Sequence, residues 1–520
     1  MSRIKRVWDA LTGPPPESLS KRSGYKGAEN SRLTADWVMR SLPVDDEARW
    51  NMRKLRDRAR DLSRNSAVMT TFSNLLTTNV LGHCGLELES RVQNNNGVMN
   101  EKLNDSIEDA WDEWSASASL DGRLSRVEME WNGLEGTARD GEGLFRIWRV
   151  PALNKFGFAL EPLDPDLLDE RMNIPAGTNR NEVRLGIEVD AYGRRVAYHV
   201  WDRPEGSISV ASPRTRNRIP ARDIIHIYDP KRASQTRGIT WYAPVMYDVR
   251  MLDGYIEAEL VAARTAAAKM GWFVRKRDED GPLSEDEQGN FQTEANPGEF
   301  AFAPDGYELQ DWSPNHPNSA FPDFVKAALR RIASGLGVSY NSLANDLEGV
   351  NYSSLKSGLS GERENWKRRQ SWWRNQFCLR VYPEWMAQAM LMNAIKNVDA
   401  RDPRKYLNMR FNARGWASPD PLKDMQAAVL GIQNTLTSRT RTLMEEGVEW
   451  EDVLEELEAE NKAADEKNIS LTTGPASSPP AASEDDTATP NEDSPSKPSS
   501  NGTAKTKKDL SGSLTSGRRY

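Results

Sequence analysis

Catalytic side chains at catalytic spacings are scarce in this sequence. The four histidines are scattered, and none has another histidine or a cysteine at the spacing of a zinc site. The stretch "SGLGVS" (334–339) lacks the lysine of a phosphate-binding loop, and "GLSGE" (358–362) has a glutamate where a nucleophile elbow needs its second glycine. His226, in "IIHIYD", fits a hydrogen-bonded core histidine better than a general base. We therefore expect no cofactor and no catalytic site in these segments.

One acidic cluster is "DPDLLDE" (164–170), which contains Asp164, Asp166, Asp169 and Glu170. Carboxylates at this spacing could hold a divalent cation, as a metal-dependent nucleic-acid-processing enzyme would require. The same residues are also typical of a turn that leads into a helix, where they accept hydrogen bonds from free backbone N–H groups. The capping interpretation is favoured, so the enzyme is the alternative hypothesis for function.

A run of basic residues between positions 53 and 64 could contact phosphates. Asp57 and Asp61 interrupt the run, which favours a solvated helix face instead. The formal net charge of −8 argues against a general binder of nucleic acid. Two cysteines, Cys84 and Cys378, are too few for a disulfide framework. The sequence contains no apolar run of about 18 residues, so we expect no membrane span.

The hydrophobic pattern changes several times along the chain. Helical spacing over 47–82 and 99–116 is followed by strands, including a hairpin at 187–202 whose turn contains Gly193. After the strands we predict a long alanine-rich helix (243–271), a small β insertion (272–320) and a second helix (321–337). A polar segment (338–351), a long helix with a kink at Pro383 (352–397) and shorter helices (418–466) follow. Compositions rich in Pro, Ser, Lys and Gly predict a flexible arm at 1–30 and a disordered tail at 469–520. The start of the chain lacks the apolar region of a signal peptide, so we expect synthesis and use in the cytoplasm.

Two blocks of the chain resemble the portal proteins of lambda-like tailed bacteriophages. The blocks are "RGITWYAPVMYDVRMLDGYIEAELVAARTAAAKMGWFV" (237–274) and "GLGVSYNSLANDLEGVNYSSLKSGLSGERENWKRRQSWW" (335–373). "GIEVDAYGRRVAYHVWD" (186–202) and "IPARDIIHIYDPKRASQTRG" (219–238) support the likeness, which extends over about residues 30–450.

The resemblance implies an α+β portal fold that forms a ring oligomer, typically of twelve subunits. Its parts would be an N-terminal arm (1–30), a wing (31–240), a first stem helix (241–271), a clip (272–320), a second stem helix (321–337), a tunnel loop (338–351), a long wing helix (352–397), a helical crown (398–468) and a disordered tail (469–520).

The resemblance also implies a function and its partners. The ring would sit at one capsid vertex of the virion, after assembly in the host cytoplasm, and double-stranded DNA would enter and leave through it. Terminase and later the head-completion connector proteins would dock on it, the major capsid protein or scaffold would surround it, and no membrane would be involved. The protein would be a structural channel without catalytic activity of its own. A plain scaffold or adaptor is a third hypothesis.

Three sets of residues follow from this assignment. A loop beside sliding DNA needs flexible polar groups and few phosphate anchors, because each fixed cation adds affinity. The expected tunnel-loop residues are Ser339, Asn341, Ser342, Asn345, Asp346, Glu348 and Asn351. Basic residues that face either DNA or acids of the adjacent subunit would be Lys356, Arg363 and Lys367. Clip residues that contact terminase would be Arg275, Arg277, Asp278, Glu285, Glu299 and Asp305.

Three tryptophans of the long helix, Trp366, Trp372 and Trp373, lie near one side of it. Buried aromatics are common both at subunit interfaces and in the core of a single subunit. The sequence leaves both interpretations open.

Overall fold

The computed structural model describes ten stretches of the chain, and the statements below concern those residues: 41–94, 96–206, 213–267, 271–275, 307–311, 320–348, 352–399, 401–416, 420–446 and 450–469. The contacts divide the chain into two compact units, one up to Pro419 and one from Asp420. The predicted arm and tail lie outside the described residues.

Four helices and a short strand begin the first unit. They are α1 (Val44–Asn65), α2 (Ala67–Val80), β1 (Glu87–Ser90), α3 (Glu101–Ser115) and α4 (Arg126–Asp140). The single helix predicted for 47–82 is wrong in one respect, because Ser66 adopts an extended conformation and separates α1 from α2. A capping box between Ser125 and Glu128 starts α4, and Gly141 ends it with a positive φ of 94°.

Antiparallel sheets follow these helices. The strands are β2 (Glu142–Arg149), β3 (Phe158–Leu163), β4 (Glu182–Arg184), β5 (Ile187–Val189), β6 (Arg195–Trp201), β7 (Arg216–Pro220) and β8 (Ile224–Tyr228). They form a three-stranded sheet in the order β3-β2-β8 and a four-stranded sheet in the order β4-β5-β6-β7. The predicted hairpin is confirmed, with Gly193 at a φ of 77°. The stretch 182–189 contains two separate strands, β4 and β5.

The remainder of the first unit is mainly helical. Its elements are α5 (Met246–Ala267), β9 (Gly271–Arg275), β10 (Tyr307–Asp311), α6 (Phe321–Leu336), α7 (Tyr340–Ala344), α8 (Tyr352–Trp373), a π-helical turn (Arg374–Cys378), α9 (Leu379–Leu391) and β11 (Met409–Asn412). Pro383 lies inside α9 and does not end it, and the π-helical turn that separates α8 from α9 comes before the proline. The expected end of the long helix at 397 is wrong, because α9 stops at Leu391 and Asn393 has a positive φ.

The second unit contains three helices. They are α10 (Pro421–Gln433), α11 (Arg439–Glu446) and α12 (Trp450–Glu466). Asp420 caps α10 by accepting a hydrogen bond from the Lys423 backbone N–H. These helices confirm the helical pattern predicted for 418–466.

Tryptophan side chains lie in the centre of the hydrophobic core of the first unit. Trp111 packs against Trp114 and Trp385 with ring centroids 4.8 and 5.0 Å apart. Trp366 and Trp373 are 2% and 0% exposed within the single chain, so the core interpretation is confirmed for them. They are not available for a subunit interface.

The carboxylate of Glu142, at the start of β2, contacts three other buried side chains. Arg237 donates from Nε to the two carboxylate oxygens of Glu142 at 3.0 and 2.7 Å. Arg56 of α1 donates to the same carboxylate at 3.3 Å, and Nε2 of His226 on β8 lies 2.9 Å from it. All four residues are at most 1% exposed. This cluster therefore joins α1, β2, β8 and the segment before α5.

The pKa values of Glu142 and His226 are both lowered in this cluster. Although burial alone would raise the pKa of Glu142, Arg237 and His226 lower it well below its usual value. Burial lowers the pKa of His226 to about 4, and Arg195 and Arg237 add to that effect. The folded protein therefore holds a neutral His226 and an ionised Glu142.

Replacing Glu142 tests the importance of the cluster. We expect Glu142→Gln to lower the free energy of unfolding by about 3–5 kcal/mol, because Arg56 and Arg237 would stay buried without a countercharge. Urea unfolding measures this loss. The matched control is Glu113→Gln, whose exposed pair with Lys155 should contribute at most about 1 kcal/mol. Equal losses in the two variants would contradict the assignment.

The histidine predicts a pH dependence of stability. Because the pKa of His226 is lower in the folded state than in the unfolded state, the unfolded chain binds more protons between pH 4 and pH 6.5. Stability should thus fall as pH decreases through that window, by up to about 3 kcal/mol from this residue. The difference between the unfolding profiles of the wild type and His226→Gln isolates this contribution. Parallel profiles would rule it out.

Candidate functional site

The two helices that bracket the predicted β insertion pack against each other. Tyr255 of α5 contacts the rings of Phe321 and Phe324 at 5.7 and 4.9 Å, and Arg331 of α6 donates to Asp248 of α5 at 2.7 Å. Near the base of the pair, a Cβ on Gly335 would lie 2.3 Å from a methyl group of Val245. A glycine is needed there, because any side chain would push α6 away from the start of α5.

Among the described residues, only one face of α5 packs against its own subunit. Val249 and Leu252 are buried and Ile256 packs on the core. The opposite face carries apolar and small residues that are exposed: Tyr247, Met251, Gly254, Ala258 and Val261. Their spacing of three or four residues places them on one stripe, roughly opposite to the core face. In the alanine-rich half of this helix, Ala258 and Ala263 are exposed within the single subunit.

The β insertion contains a two-stranded antiparallel ribbon. β9 and β10 pair so that Gly271 lies opposite Asp311 and Arg275 opposite Tyr307. Arg275 is the last residue of β9. The other expected clip residues lie outside the described residues: Arg277, Asp278, Glu285, Glu299 and Asp305. Their contact with terminase stays a prediction.

The polar segment after α6 is more ordered than expected. The prediction of a loose loop is wrong for its first half, which forms α7. The Ser339 hydroxyl oxygen accepts from the Ser342 backbone N–H at 3.1 Å, and the Ser342 hydroxyl donates to Glu362 of α8 at 2.8 Å. Leu343 is buried. Ser339 and Ser342 are therefore held by capping and cross-helix hydrogen bonds, and Asn341 is half-buried beside them.

Beyond α7 the segment turns sharply and becomes exposed. Asn345 has a φ of 50°, and the Tyr340 hydroxyl donates to Asp346 at 2.7 Å. The Tyr340 hydroxyl and the Glu348 backbone N–H lower the pKa of Asp346, and Lys326 adds to the effect at 3.5 Å. Asn345 and Glu348 are exposed, and Asn351 lies outside the described residues. The exposed part of the segment thus contains polar and acidic residues together with Leu347, which is 61% exposed.

Three basic residues of α8 were expected to face DNA or a neighbouring subunit. Lys356 and Arg363 are half-buried. Lys367 lies 3.2 Å from Glu364 on the same helix, and both side chains are substantially exposed. The structure brings these residues onto one helix, and their contacts with DNA or another subunit stay predictions.

Arg369 has a structural position that the sequence did not reveal. Its guanidinium lies over the rings of Trp241, Trp366 and Phe72 at 4.9, 5.0 and 5.7 Å. It also donates to the Leu336 carbonyl at 3.0 Å, at the end of α6. Burial and the nearby Arg368 lower the pKa of Arg369 to about 10. Arg369 therefore connects α8 to the base of the helix pair and is withdrawn from solvent.

The acids at 164–170 are matched by arginines of α1. Arg60 donates to Asp164 at 2.8 Å and to Asp166 at 2.7 Å, and Arg56 donates to Asp166 at 2.5 Å. Asp164 also accepts from the backbone N–H of Asp166, as the capping interpretation predicts. The prediction of a solvated basic face is wrong for Arg56, which is 1% exposed, and for Arg60.

The remaining acids of this cluster are placed differently. Asp169 pairs with Arg216 at 2.8 Å, and Glu170 lies 3.8 Å from Arg56. Within the described stretches, no group of three or more histidine, cysteine or acidic residues is arranged to hold a metal ion. Guanidinium groups hydrogen-bond to Asp164, Asp166 and Asp169, so these three acids help to hold α1 and the strands together.

None of the described helices is both long enough and apolar enough to cross a bilayer.

Comparison with known proteins identifies similar chains. A protein-family model described as "Phage portal protein, lambda family" matches residues 30–370. The chain is 33% identical over 475 residues to a "Probable portal protein" of Halomonas phage phiHAP-1, across 88% of this chain and 91% of that relative. It is 21% identical to "Portal protein B" of Escherichia phage lambda, across 85% of this chain and 90% of that protein.

Solved structures with a lower likeness come from particles of a gene transfer agent. A chain of "Neck of native GTA particle computed with C12 symmetry" is 13% identical with a TM-score of 0.40, and the match covers 75% of this chain and 93% of that chain. A chain of "Virion of native gene transfer agent (GTA) particle" is 12% identical with a TM-score of 0.39, over 80% of this chain and 97% of that chain.

The capped turn after α6 can be tested directly. We expect Ser339→Ala to weaken α7 by about 1 kcal/mol, and hydrogen exchange at the amides of 342–344 to become about fivefold faster. The control is Ser334→Ala on the exposed side of α6, which should leave these rates unchanged. Unchanged exchange in Ser339→Ala would contradict the capping role.

Proposed function

The chain belongs to the lambda family of phage portal proteins, and we propose that its copies assemble head to tail into a ring, of about twelve subunits, at one vertex of the capsid. Double-stranded DNA passes through the opening of this ring during packaging and ejection. The protein supplies the channel and has no catalytic activity of its own. Its place is the virion, after assembly in the host cytoplasm.

The observation that carries this proposal is the continuous family match over residues 30–370. It includes the paired helices α5 and α6, the ribbon between them and the segment 338–351. A relative at 33% identity extends the likeness over 88% of the chain. The match therefore covers the elements to which the channel function is assigned here.

The outer stripe of α5 supports assembly into a ring. Tyr247 is 75% exposed and Met251 is 55% exposed, on the helix face that its own subunit leaves uncovered. Gly254 and Ala258 on the same stripe allow another helix to approach closely. Because a head-to-tail contact joins two different surfaces, repeating it with a closing rotation gives a cyclic oligomer. The stripe of one subunit would face the helix pair of the next.

The segment 338–348 supports the passage of DNA. It contains no lysine or arginine, and its exposed residues include Asn345 and Glu348. A fixed cation would bind phosphate and resist sliding, whereas exposed amide and carboxylate groups give no strong anchor. We propose that this segment lines the opening. The hydrogen bonds of α7 hold its first half, and the contact with DNA falls to residues 345–351, of which Asn345 and Glu348 are exposed.

The ribbon between α5 and α6 is the proposed docking site for terminase and then for the connector proteins. A ribbon that leaves one helix and returns to its neighbour lies at the far end of the pair from Gly335. The polar residues predicted on this insertion, Arg275 among them, would supply the contacts. The major capsid protein or scaffold would bind elsewhere on the ring.

Mass photometry and negative-stain microscopy of the purified full chain test this function. We expect annular particles of several hundred kilodaltons with an axial opening. Met251→Glu places a charge on the uncovered stripe and should raise the subunit concentration for assembly by at least about tenfold, because a charge is costly to bury in an interface. Tyr192→Glu, at the exposed tip of the β5–β6 hairpin, is the matched control and should assemble normally.

Two outcomes would reject the proposal. A wild-type chain that stays monomeric at all accessible concentrations would contradict the ring. Metal-dependent cleavage of DNA by that monomer would favour the nucleic-acid-processing enzyme instead.

A further inference from the structure

The solvent-facing side of α1 is basic and carries a large exposed aromatic residue. Trp50 is 72% exposed. Lys54, Arg58 and Arg64 are also exposed, and none of the three makes an ion pair within the described residues. The positions lie within about 120° of one another around the helix. Two carboxylates share this side: Asp57 and Asp61, of which Asp61 accepts from the Asn65 amide.

The solvent-facing side of α3 is acidic. Glu101, Asp105, Asp109 and Asp112 are exposed, and their side chains have no hydrogen-bonding or ion-pair partner among the residues described. Glu108 lies between them and accepts from the Ser90 backbone N–H. Burial and the neighbouring acids raise the pKa values of Glu108 and Asp112, which is the result expected when like charges crowd one helix face.

The two faces match in length and in the order of their residues. At 1.5 Å per residue, Arg58 and Arg64 follow Lys54 by about 6 and 15 Å along the axis of α1. Asp105 and Asp112 follow Glu101 by about 6 and 16 Å along α3. An exposed apolar residue precedes each series, since Trp50 comes before Lys54 and Val98, which is 59% exposed, comes before Glu101. A parallel alignment would therefore place Lys54, Arg58 and Arg64 beside Glu101, Asp105 and Asp112, and Asp61 beside Asp109.

We propose that the basic face of α1 in one subunit docks against the acidic face of α3 in the next subunit of the ring. This inference rests on the proposed ring and adds a second, electrostatic contact to the apolar stripe of α5. The two faces are different surfaces of one chain, so the contact is head to tail, as a closed ring requires. Its role is to set the register between subunits, because complementary charges select orientation more than they add affinity.

A second copy of the chain fits this face better than a nucleic acid does. A polyphosphate backbone has no cation to place near Asp57 and Asp61, whereas α3 carries the exposed Lys102 among its acids. Trp50 also needs an apolar surface, and Val98, exposed in the segment ahead of α3, would supply one. Charge complementarity along both series thus favours the neighbouring subunit.

Charge reversal on each face provides the test. Lys54→Glu with Arg58→Glu, or Glu101→Lys with Asp105→Lys, should raise the subunit concentration for half-assembly by at least about tenfold at physiological salt. The variant with all four changes restores opposite charges and should assemble within about threefold of the wild type. All these side chains are exposed, so circular dichroism and thermal unfolding should match the wild type.

A control and a salt titration complete the experiment. Arg123→Glu with Arg222→Glu changes the net charge equally at two side chains more than 80% exposed, and should not affect assembly. The effect of the face reversals should shrink as salt increases, because exposed charges are screened.

The outcomes separate this inference from the proposed function. Wild-type rings that are unaffected by either reversal would overturn the docking and leave the ring intact. Loss of duplex DNA binding in Lys54→Glu with Arg58→Glu, with normal rings, would likewise overturn it and assign the basic face to a polyanion. A wild type that forms no ring would contradict the proposed function itself.

Discussion

The helix α5 has two opposite faces. Among the described residues, its own subunit covers only one of them. Val249 and Leu252 anchor α5 to the core, while Tyr247 and Met251 on the other side are exposed. Leaving such apolar area in water is unfavourable by roughly 25 cal/mol for each Å². A neighbouring copy would cover it repeatedly around a ring. The proposed channel depends on this constraint, because a helix covered on both sides by its own chain would not need a neighbour.

The base from which the helix pair extends is held by buried charges and aromatic rings. Glu142 binds Arg56, Arg237 and His226, and so ties α1 to the sheet immediately ahead of α5. Arg369 performs a related role at the other end, since it joins α8 to the last carbonyl of α6. Breaking a buried pair of this kind costs much more than breaking a surface pair. The helix pair and the segment after it therefore start from a fixed position.

The sequence predicted the elements better than it predicted their contacts. Local signals were sufficient for the hairpin at Gly193 and for the helix that ends at Gly337, because glycine and periodicity act within a few residues. They could not reveal the pairing of β1 with β11, whose partner residues are more than 300 positions apart. Nor could they show that Arg56 is buried, since its acidic partners lie on β2 and in the 164–170 segment. The sequence predicts a flexible loop at Ser339, although a serine immediately before a short helical stretch is also typical of a helix N-cap.

Electron cryo-microscopy of the purified full chain, at a resolution that shows side chains, tests the central claim most directly. The account predicts an annular assembly in which Tyr247, Met251 and Ala258 lie at the boundary between adjacent subunits and residues 345–348 border the central opening. An assembly in which the α5 stripe faces solvent, or in which these residues point away from the opening, would contradict it.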